Sequence, residues 1–520
     1  MFDSYFDPSA QLAIALACLL SVLGLVLWHR SQERTALGLV LLAALTLRLM
    51  AIQLDPFLNI WDECVHAVVA RNMVEHPFTP MLFTDTELGL DHKEWTLNNV
   101  WLHKQPFFLW MISLSLRVLG YSVFALRLPS ALFTTALVFF TYRLARSMHD
   151  KDTAFHAAFL MAWSHWFLIL CLGGVLSDHN NAVFISLVGG SFWAWSEWDR
   201  SRKLRWAVVA GCFVGSALLT KWLPGALLFG GWSLIFLLGT GDRRQELKAL
   251  LIALAVAVLL AAPWQISAWV RFPVEMAHEM SFNSLHLWEA VEGHVGDHWF
   301  YYHSLVEQFQ PFPSLLMFGA LLLSVTQCRE RRMRIMAITS VVVTYMVYTL
   351  AATKMHAYPM LVIGFFFIGL AHLLALVTRP YSLSRTWLVL AVAVSAGALF
   401  QLERLQRTHT AQAKLDPFYS VYRSAHLQNL RVMDRLASEI DGTQGHAIIY
   451  NVPFPANLTM MFFHGHQVIP GTPDPERTAL LIQKGRRIIV VNPSDELRAL
   501  LPSRVQYLET GNESFVQPPL

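Results

Sequence analysis

Asp62 and Glu63 stand side by side in the segment WDECVHAVVARNMVE, and His103–Lys104 stand directly before Gln105–Pro106. Adjacent helix positions project about 100° apart, so one carboxylate can face a cavity while its neighbour supports the helix. A carboxylate at a cavity acts as general base toward a hydroxyl, or holds a cation. The plainer alternative is a pair of acidic side chains satisfying a helix N-terminus. Lys104 and Lys354 are candidates to pair with a phosphate as point charges; snorkelling interfacial lysines are the alternative. His278, His286, His294, His298 and His303 crowd one stretch of chain. On a helix His294 and His298 would share a face, a zinc-like spacing, although neither HExxH nor a nearby Cys accompanies them. Asp178 opens an apolar run, as a cavity carboxylate or as an N-cap with Ser177 as rival.

The elements that position these groups follow from composition. The chain has 520 residues, 55% hydrophobic and 14% charged, with mean hydropathy +0.43. Soluble domains carry about 25% charged residues, so a soluble enzyme and a disordered chain are both excluded. A net charge of +3 gives no basis for nucleic-acid binding. Five cysteines make no disulfide framework, and free thiols are expected.

A membrane crossing takes about 20 apolar residues. Twelve apolar runs qualify: 10–28, 36–54, 128–147, 154–172, 178–197, 206–220, 223–239, 248–264, 313–327, 335–352, 358–376 and 386–401. Lys and Arg concentrate in alternate short loops, among them Arg143, Arg200, Arg202, Arg243, Arg332 and Arg379. That bias puts those loops in the cytoplasm and both termini outside. Residues 1–401 then form a transmembrane domain with external loops at 55–127 and 265–312. Residues 402–520 form an external α/β domain, with strands at His446–Asn451 and Arg487–Asn492. Asp62–Glu75 is expected as an amphipathic helix on the membrane surface, and Phe107–Leu119 as a short re-entrant or interfacial helix. In this topology Asp62, Glu63, His103, Lys104, Asp178, Lys221, His294, His298, Lys354 and Tyr358 all gather at the outer side. Ionisable residues at membrane depth mark function, and this set suits an anionic, lipid-borne substrate.

Several motifs resemble the GT-C membrane glycosyltransferases, in particular the protein mannosyltransferase and lipid A aminoarabinose transferase group. They are WDECVHAVVARNMVE, HKQPFFLWMISLSLRVLGYSVFALRLPSAL, LSDHNNAVF, LLTKWLPGALL, HVGDHWFYYHSL and TKMHAYPMLV. The resemblance implies a GT-C-like α-helical polytopic fold with external juxtamembrane helices, which with the apolar runs counted above gives about twelve transmembrane helices, one of them preceding the family's usual first span. It implies Asp62 at the catalytic centre with Glu63 beside it, and Lys104, Lys354 and Tyr358 at the donor phosphate. Asp178, Trp299 and Tyr301 become cavity candidates. It departs from the family pattern at KQP, where KPP is usual, and at Asp297. A divalent ion, zinc or magnesium/manganese, is a candidate cofactor, with His103, His294 and His298 as candidate ligands.

The implied reaction is inverting transfer of a hexose or pentose from a polyprenyl phosphate to a hydroxyl of a lipid, glycan or protein. It would take place at the periplasmic face of the inner membrane, with the bilayer as partner and no nucleic acid. The rival reading is a transporter or flippase of lipid-linked or anionic substrates. Transporters favour internal repeats and polar groups near the midplane; here no repeat is evident and polar residues cluster at the outer ends.

Overall fold

The computed structural model describes residues 6–174, 179–239, 241–395, 401, 404–405, 417–441, 447–511 and 513–518. Asp178 lies outside the described residues. The chain opens with a helical hairpin, α1 (Pro8–His29) and α2 (Glu33–Ala51). Asp7 caps α1, its carboxylate accepting from the Ala10 N–H at 2.8 Å, and Pro8 fills the first helical position, where a missing N–H costs nothing. α3 (Asp62–Asn72) and α4 (Pro106–Leu119) belong to the first long loop. α5 (Val123–Met148), α6 (Lys151–Ala162), α7 (His165–Cys171), α8 (Asn181–Ser201), α9 (Leu204–Lys221), α10 (Leu227–Leu237) and α11 (Arg243–Arg271) follow. α12 (Pro273–Leu285) starts the second loop; α13 (Phe300–Phe309), α14 (Pro311–Gln327), α15 (Arg331–Leu350), α16 (Ile363–Thr378) and α17 (Leu383–Ser395) return the chain through the bundle.

Among the described residues, seven helices are long and apolar enough to cross a membrane, or nine if each of two bent pairs counts as one crossing. The bent pairs are α6 with α7, turned by 49°, and α13 with Pro313–Gln327, turned by 109°. The remaining expected spans are helical but short, as in Leu223–Leu237 and Leu383–Val394, or long but polar-rich, as in α8. α4 is a fourteen-residue apolar helix ended by Gly120 at φ 82°, the short element expected there.

α3 departs from expectation. Every residue from Glu63 to Ala70 is buried, so the middle of the helix has no polar face turned to solvent, and only Asp62, Arg71 and Asn72 at its ends are partly exposed. Sequence periodicity gave one apolar stripe; tertiary packing covers the other side with α4 and the C-terminal region.

That region consists of α18 (Pro417–Asp441), β1 (Ala447–Tyr450), α19 (Ala456–His464), β2 (Gln467–Ile469), α20 (Pro475–Gln483), β3 (Arg487–Val491), α21 (Asp495–Leu500) and β4 (Gln506–Leu508). The sheet order is β2-β1-β3-β4 and all pairs are parallel, with Ile449 opposite both Val468 and Ile489. Parallel strands covered on both faces read as continuous apolar runs, and AIIY and RIIVV are such runs.

The basic residues of the alternate loops collect at one end of the bundle. Arg332 meets Asp199 at 2.6 Å and Glu246 at 2.8 Å, and Arg202 meets Asp199 at 3.0 Å. Asp62, Lys104 and Lys221 lie at the other end, because α5, α8, α9 and α11 each run from one end to the other.

Candidate active site

The site begins with a backbone turn. Trp61 holds φ 71° and ψ −118°, a conformation that costs a non-glycine residue of order 1–3 kcal/mol and persists only where the surroundings enforce it. Its ring packs against Phe454, centroids 5.2 Å apart. α3 starts at the next residue, so its first two side chains diverge.

Glu63 turns inward and is 1% exposed. Arg127, itself fully buried on α5, grips it with Nε to Oε1 at 2.6 Å and Nη2 to Oε2 at 2.8 Å. The Asn59 N–H donates to Oε2 at 2.7 Å and its side-chain NH2 at 3.1 Å. His179 Nε2 stands 3.9 Å from Oε1. Burial alone would raise the Glu63 carboxyl, but the Arg127 guanidinium holds it below the usual glutamate range. Gly173 is required behind it: its φ is 74°, and a Cβ there would stand 2.9 Å from the Glu63 carboxylate. Arg127 also donates to the carbonyls of Asp55 at 2.9 Å and Phe57 at 2.8 Å, fixing the segment that leads into α3.

Asp62 turns the other way. Its side chain is 19% exposed and its Oδ1 stands 3.9 Å from Lys104 Nζ, which is 16% exposed. The two groups sequence reading set apart as base and phosphate ligand are thus neighbours, brought together by α3 and the residues before α4. His103, beside Lys104, turns away: its Nδ1 is 3.2 Å from buried Glu279 on α12, and its ring stacks on Trp95 at 5.2 Å.

The C-terminal region closes the same segment. The Tyr422 hydroxyl donates to Asn59 Oδ1 at 3.2 Å, Arg423 pairs with Asp55, and His426 stacks on Phe57 at 4.6 Å. Burial pushes the His426 imidazole down to about 4.

Lys354 occupies a different position from the one expected. Its ammonium reaches back to the end of α15 and donates to the carbonyls of Tyr348 (3.0 Å), Thr349 (2.6 Å) and Ala351 (2.6 Å). A lysine has three donors, so in this state all of them serve as a helix C-cap rather than as a phosphate ligand. Tyr358 stacks on Tyr348 at 4.4 Å, and Lys221 lies 5.2 Å above the Tyr358 ring while donating to Asn181 at 3.0 Å. Tyr301 is buried beneath the Lys354 ammonium, 5.8 Å away, whereas Trp299 is 69% exposed.

The candidate metal ligands do not come together. Residues 294–298 are not helical, which removes the shared face of His294 and His298. His298 is exposed, and the His294 carbonyl accepts the Lys354 N–H at 2.9 Å. Among the described residues no group of three His, Cys, Asp or Glu is placed to hold a metal. All five cysteines are free.

Sequence reading missed Arg127. The signal was there: a lone arginine in the apolar run FALRLPSALF, at a depth where an unpaired charge is costly.

Comparison with known proteins adds three findings. The family described as dolichyl-phosphate-mannose-protein mannosyltransferase matches residues 103–269. An undecaprenyl phosphate-alpha-4-amino-4-deoxy-L-arabinose arabinosyl transferase of Pseudomonas fluorescens (strain Pf0-1) is 26% identical over 235 residues, 44% of this chain and 41% of that protein. A second, from Pseudomonas savastanoi pv. phaseolicola, is 26% identical over 174 residues, 33% of this chain and 32% of that protein. The chain thus spans well under half the length of these curated relatives. Among solved structures, ArnT from Cupriavidus metallidurans bound to undecaprenyl phosphate overlays with TM-score 0.61 and 16% identity, over 91% of this chain and 89% of that one. The apo oligosaccharyltransferase of Archaeoglobus fulgidus overlays with TM-score 0.52 and 15% identity, over 84% of this chain and 64% of that one. The chain has the fold of ArnT from Cupriavidus metallidurans over most of its length, and residues 103–269 match the family described as dolichyl-phosphate-mannose-protein mannosyltransferase.

Proposed function

We propose that the protein transfers a sugar from a polyprenyl phosphate to an acceptor hydroxyl, with inversion, at the outer face of the cytoplasmic membrane. The observation that carries this reading is the partly exposed Asp62 beside Lys104, backed by a saturated Glu63–Arg127 pair. The acceptor oxygen attacks the anomeric carbon, and the bond from that carbon to the lipid phosphate oxygen breaks. Asp62 takes the acceptor proton. Lys104 stabilises the charge gathering on the departing phosphate. Glu63 touches neither reactant; it holds the start of α3 so that Asp62 points outward. No step is assigned to a metal, since the candidate ligands are dispersed.

The relatives' printed names support a lipid-linked donor: the Pseudomonas enzymes are undecaprenyl-phosphate sugar transferases, and the Cupriavidus structure holds undecaprenyl phosphate. Mass spectrometry of envelope glycans and lipids, with and without the protein, tests the reading and names the sugar. A specific hexose or pentose should vanish from one acceptor class in the deletion and return with the wild-type chain but not with Asp62→Asn. Unchanged glycans and lipids would overturn it.

A further inference from the structure

A cavity of about 330 Å³ lies away from Asp62, between the far end of α3 and the C-terminal sheet. It is at the lower end of the size range of small-molecule sites. Its walls come from two parts of the chain that are firmly joined. Arg486 pairs with Asp85 at 2.8 Å, the Thr84 N–H donates to the Gln467 side-chain Oε1 at 2.9 Å, and Arg71 stacks on Tyr121 at 4.0 Å. The cavity is therefore built into the fold.

Its chemistry is polar without net sign. Arg71 and Arg486 are balanced by Asp85 and Glu75, so an anion gains little. Hydrogen-bonding capacity remains on both sides. The Gln467 NH2 is a donor with no partner among the described residues. Asn72 spends its NH2 on the carbonyls of Met81 (2.9 Å) and Leu82 (3.1 Å), and its carbonyl oxygen is an acceptor with no partner among the described residues. Unengaged donors and acceptors around a neutral cavity with an aromatic wall suit a hydroxyl-rich ligand, which offers both in every ring. Ten residues of helix separate Asp62 from Asn72, about 15 Å at 1.5 Å per residue.

We propose that this cavity is a saccharide-binding site for a neutral part of the acceptor glycan, remote from the reacting hydroxyl. Only the word acceptor rests on the transferase reading; the binding stands apart from it.

Calorimetry or saturation-transfer NMR on the full chain in detergent tests it. The neutral probes are N,N′-diacetylchitobiose and mannobiose, and glucose 6-phosphate is the anionic one. At least one neutral disaccharide should bind, more tightly than the anion. Gln467→Ala should weaken it at least about threefold, the worth of one hydrogen bond to an uncharged group. Gln467→Trp, which fills the space, should abolish it, and Asp62→Asn should bind like wild type. If Gln467→Trp does not fold, Gln467→Ala decides. Failure of both neutral probes, preference for the anion, or indifference to Gln467→Ala would overturn the site. Saccharide binding in a chain that transfers no sugar would keep the site and remove the transferase reading.

Discussion

The two ends of the helix bundle handle their charges in opposite ways. At the Arg332 end the buried carboxylates Glu246 and Glu197 are enclosed by their partners: Glu246 receives Arg332 at 2.8 Å, Arg202 at 3.3 Å and the Trp232 indole N–H at 2.7 Å, and Glu197 receives Arg200 at 2.6 Å as well as Arg143. At the Asp62 end Glu63, with Arg127, and Asp55, with Arg423, are treated so. Asp62 and Lys104 face each other across 3.9 Å with part of each side chain exposed. Saturated ion pairs in a buried setting hold helices together and have nothing left to offer a substrate. A wider, partly exposed pair leaves room for a reacting atom. Under the proposed function, the contrast separates charges that build the bundle from charges that act.

That separation can be broken by experiment, and the largest expected effect comes first. Asp62→Asn keeps size and removes the base, so turnover should fall about 10²–10⁴-fold with thermal stability unchanged. Wild-type turnover in this variant, measured with purified protein and lipid-linked donor, would place Asp62 among the structural charges. Arg127→Ala takes the guanidinium from the buried Glu63 carboxylate, which costs about 3–5 kcal/mol, whereas Arg332→Ala leaves Glu246 with Arg202 and the Trp232 indole and should cost less. Both should lower the unfolding temperature and yield. Only Arg332→Ala should keep normal turnover per folded molecule, because Arg127 also fixes the segment leading to Asp62. Equal activity in both would erase the difference between the ends.

Lys104→Ala should reduce turnover about ten- to a hundredfold, the worth of a charge-assisted contact of about 1.5–3 kcal/mol. Lys354→Met sharpens the comparison. As a C-cap of α15, Lys354 should cost stability of about 1–2 kcal/mol with a smaller effect on turnover than Lys104. A tenfold loss of turnover at unchanged unfolding temperature would mean that it leaves those carbonyls for the donor phosphate.

The smallest effect is on pH. His426 is held neutral, down to about 4, against an unfolded value near 6.5. Between those values the unfolded chain binds more protons, so the docking of α18 is complete above about pH 6.5 and weakens as pH falls toward 4. Protease protection of α18 should decline across that window in wild type and stay flat in His426→Phe, apart from a constant offset. A wild-type profile already flat across it would show that the ring is not docked against Phe57.

Much of this was legible in the sequence because apolar runs of bilayer length and strand runs such as AIIY depend on local pattern. The acidic pair and Lys104 were found as ionisable groups in an apolar chain. What escaped notice depends on contacts distant in sequence. Arg127 and Glu63 are 64 positions apart, and their pairing needs the fold. The position of Lys354 is decided by the end of α15, whose carbonyls compete with any phosphate. The burial of Glu63–Ala70 on every side comes from α4 and α19, so the stripe of valines understated how much of the helix is covered. The zinc-like spacing of His294 and His298 failed because spacing has meaning only on a helix.

The clasp between Asn59 and Tyr422 joins positions 363 residues apart, and Arg423 reaches Asp55 across a similar interval. The segment that aims Asp62 is therefore held on one side by a membrane helix made early and on the other by a helix made late. Until the ribosome has passed residue 423 and α18 has folded back, the turn at Trp61 lacks one of its two holds. Under the proposed function, the turn that presents Asp62 would become complete only once α18 has been made and has folded back, however early the membrane helices are inserted.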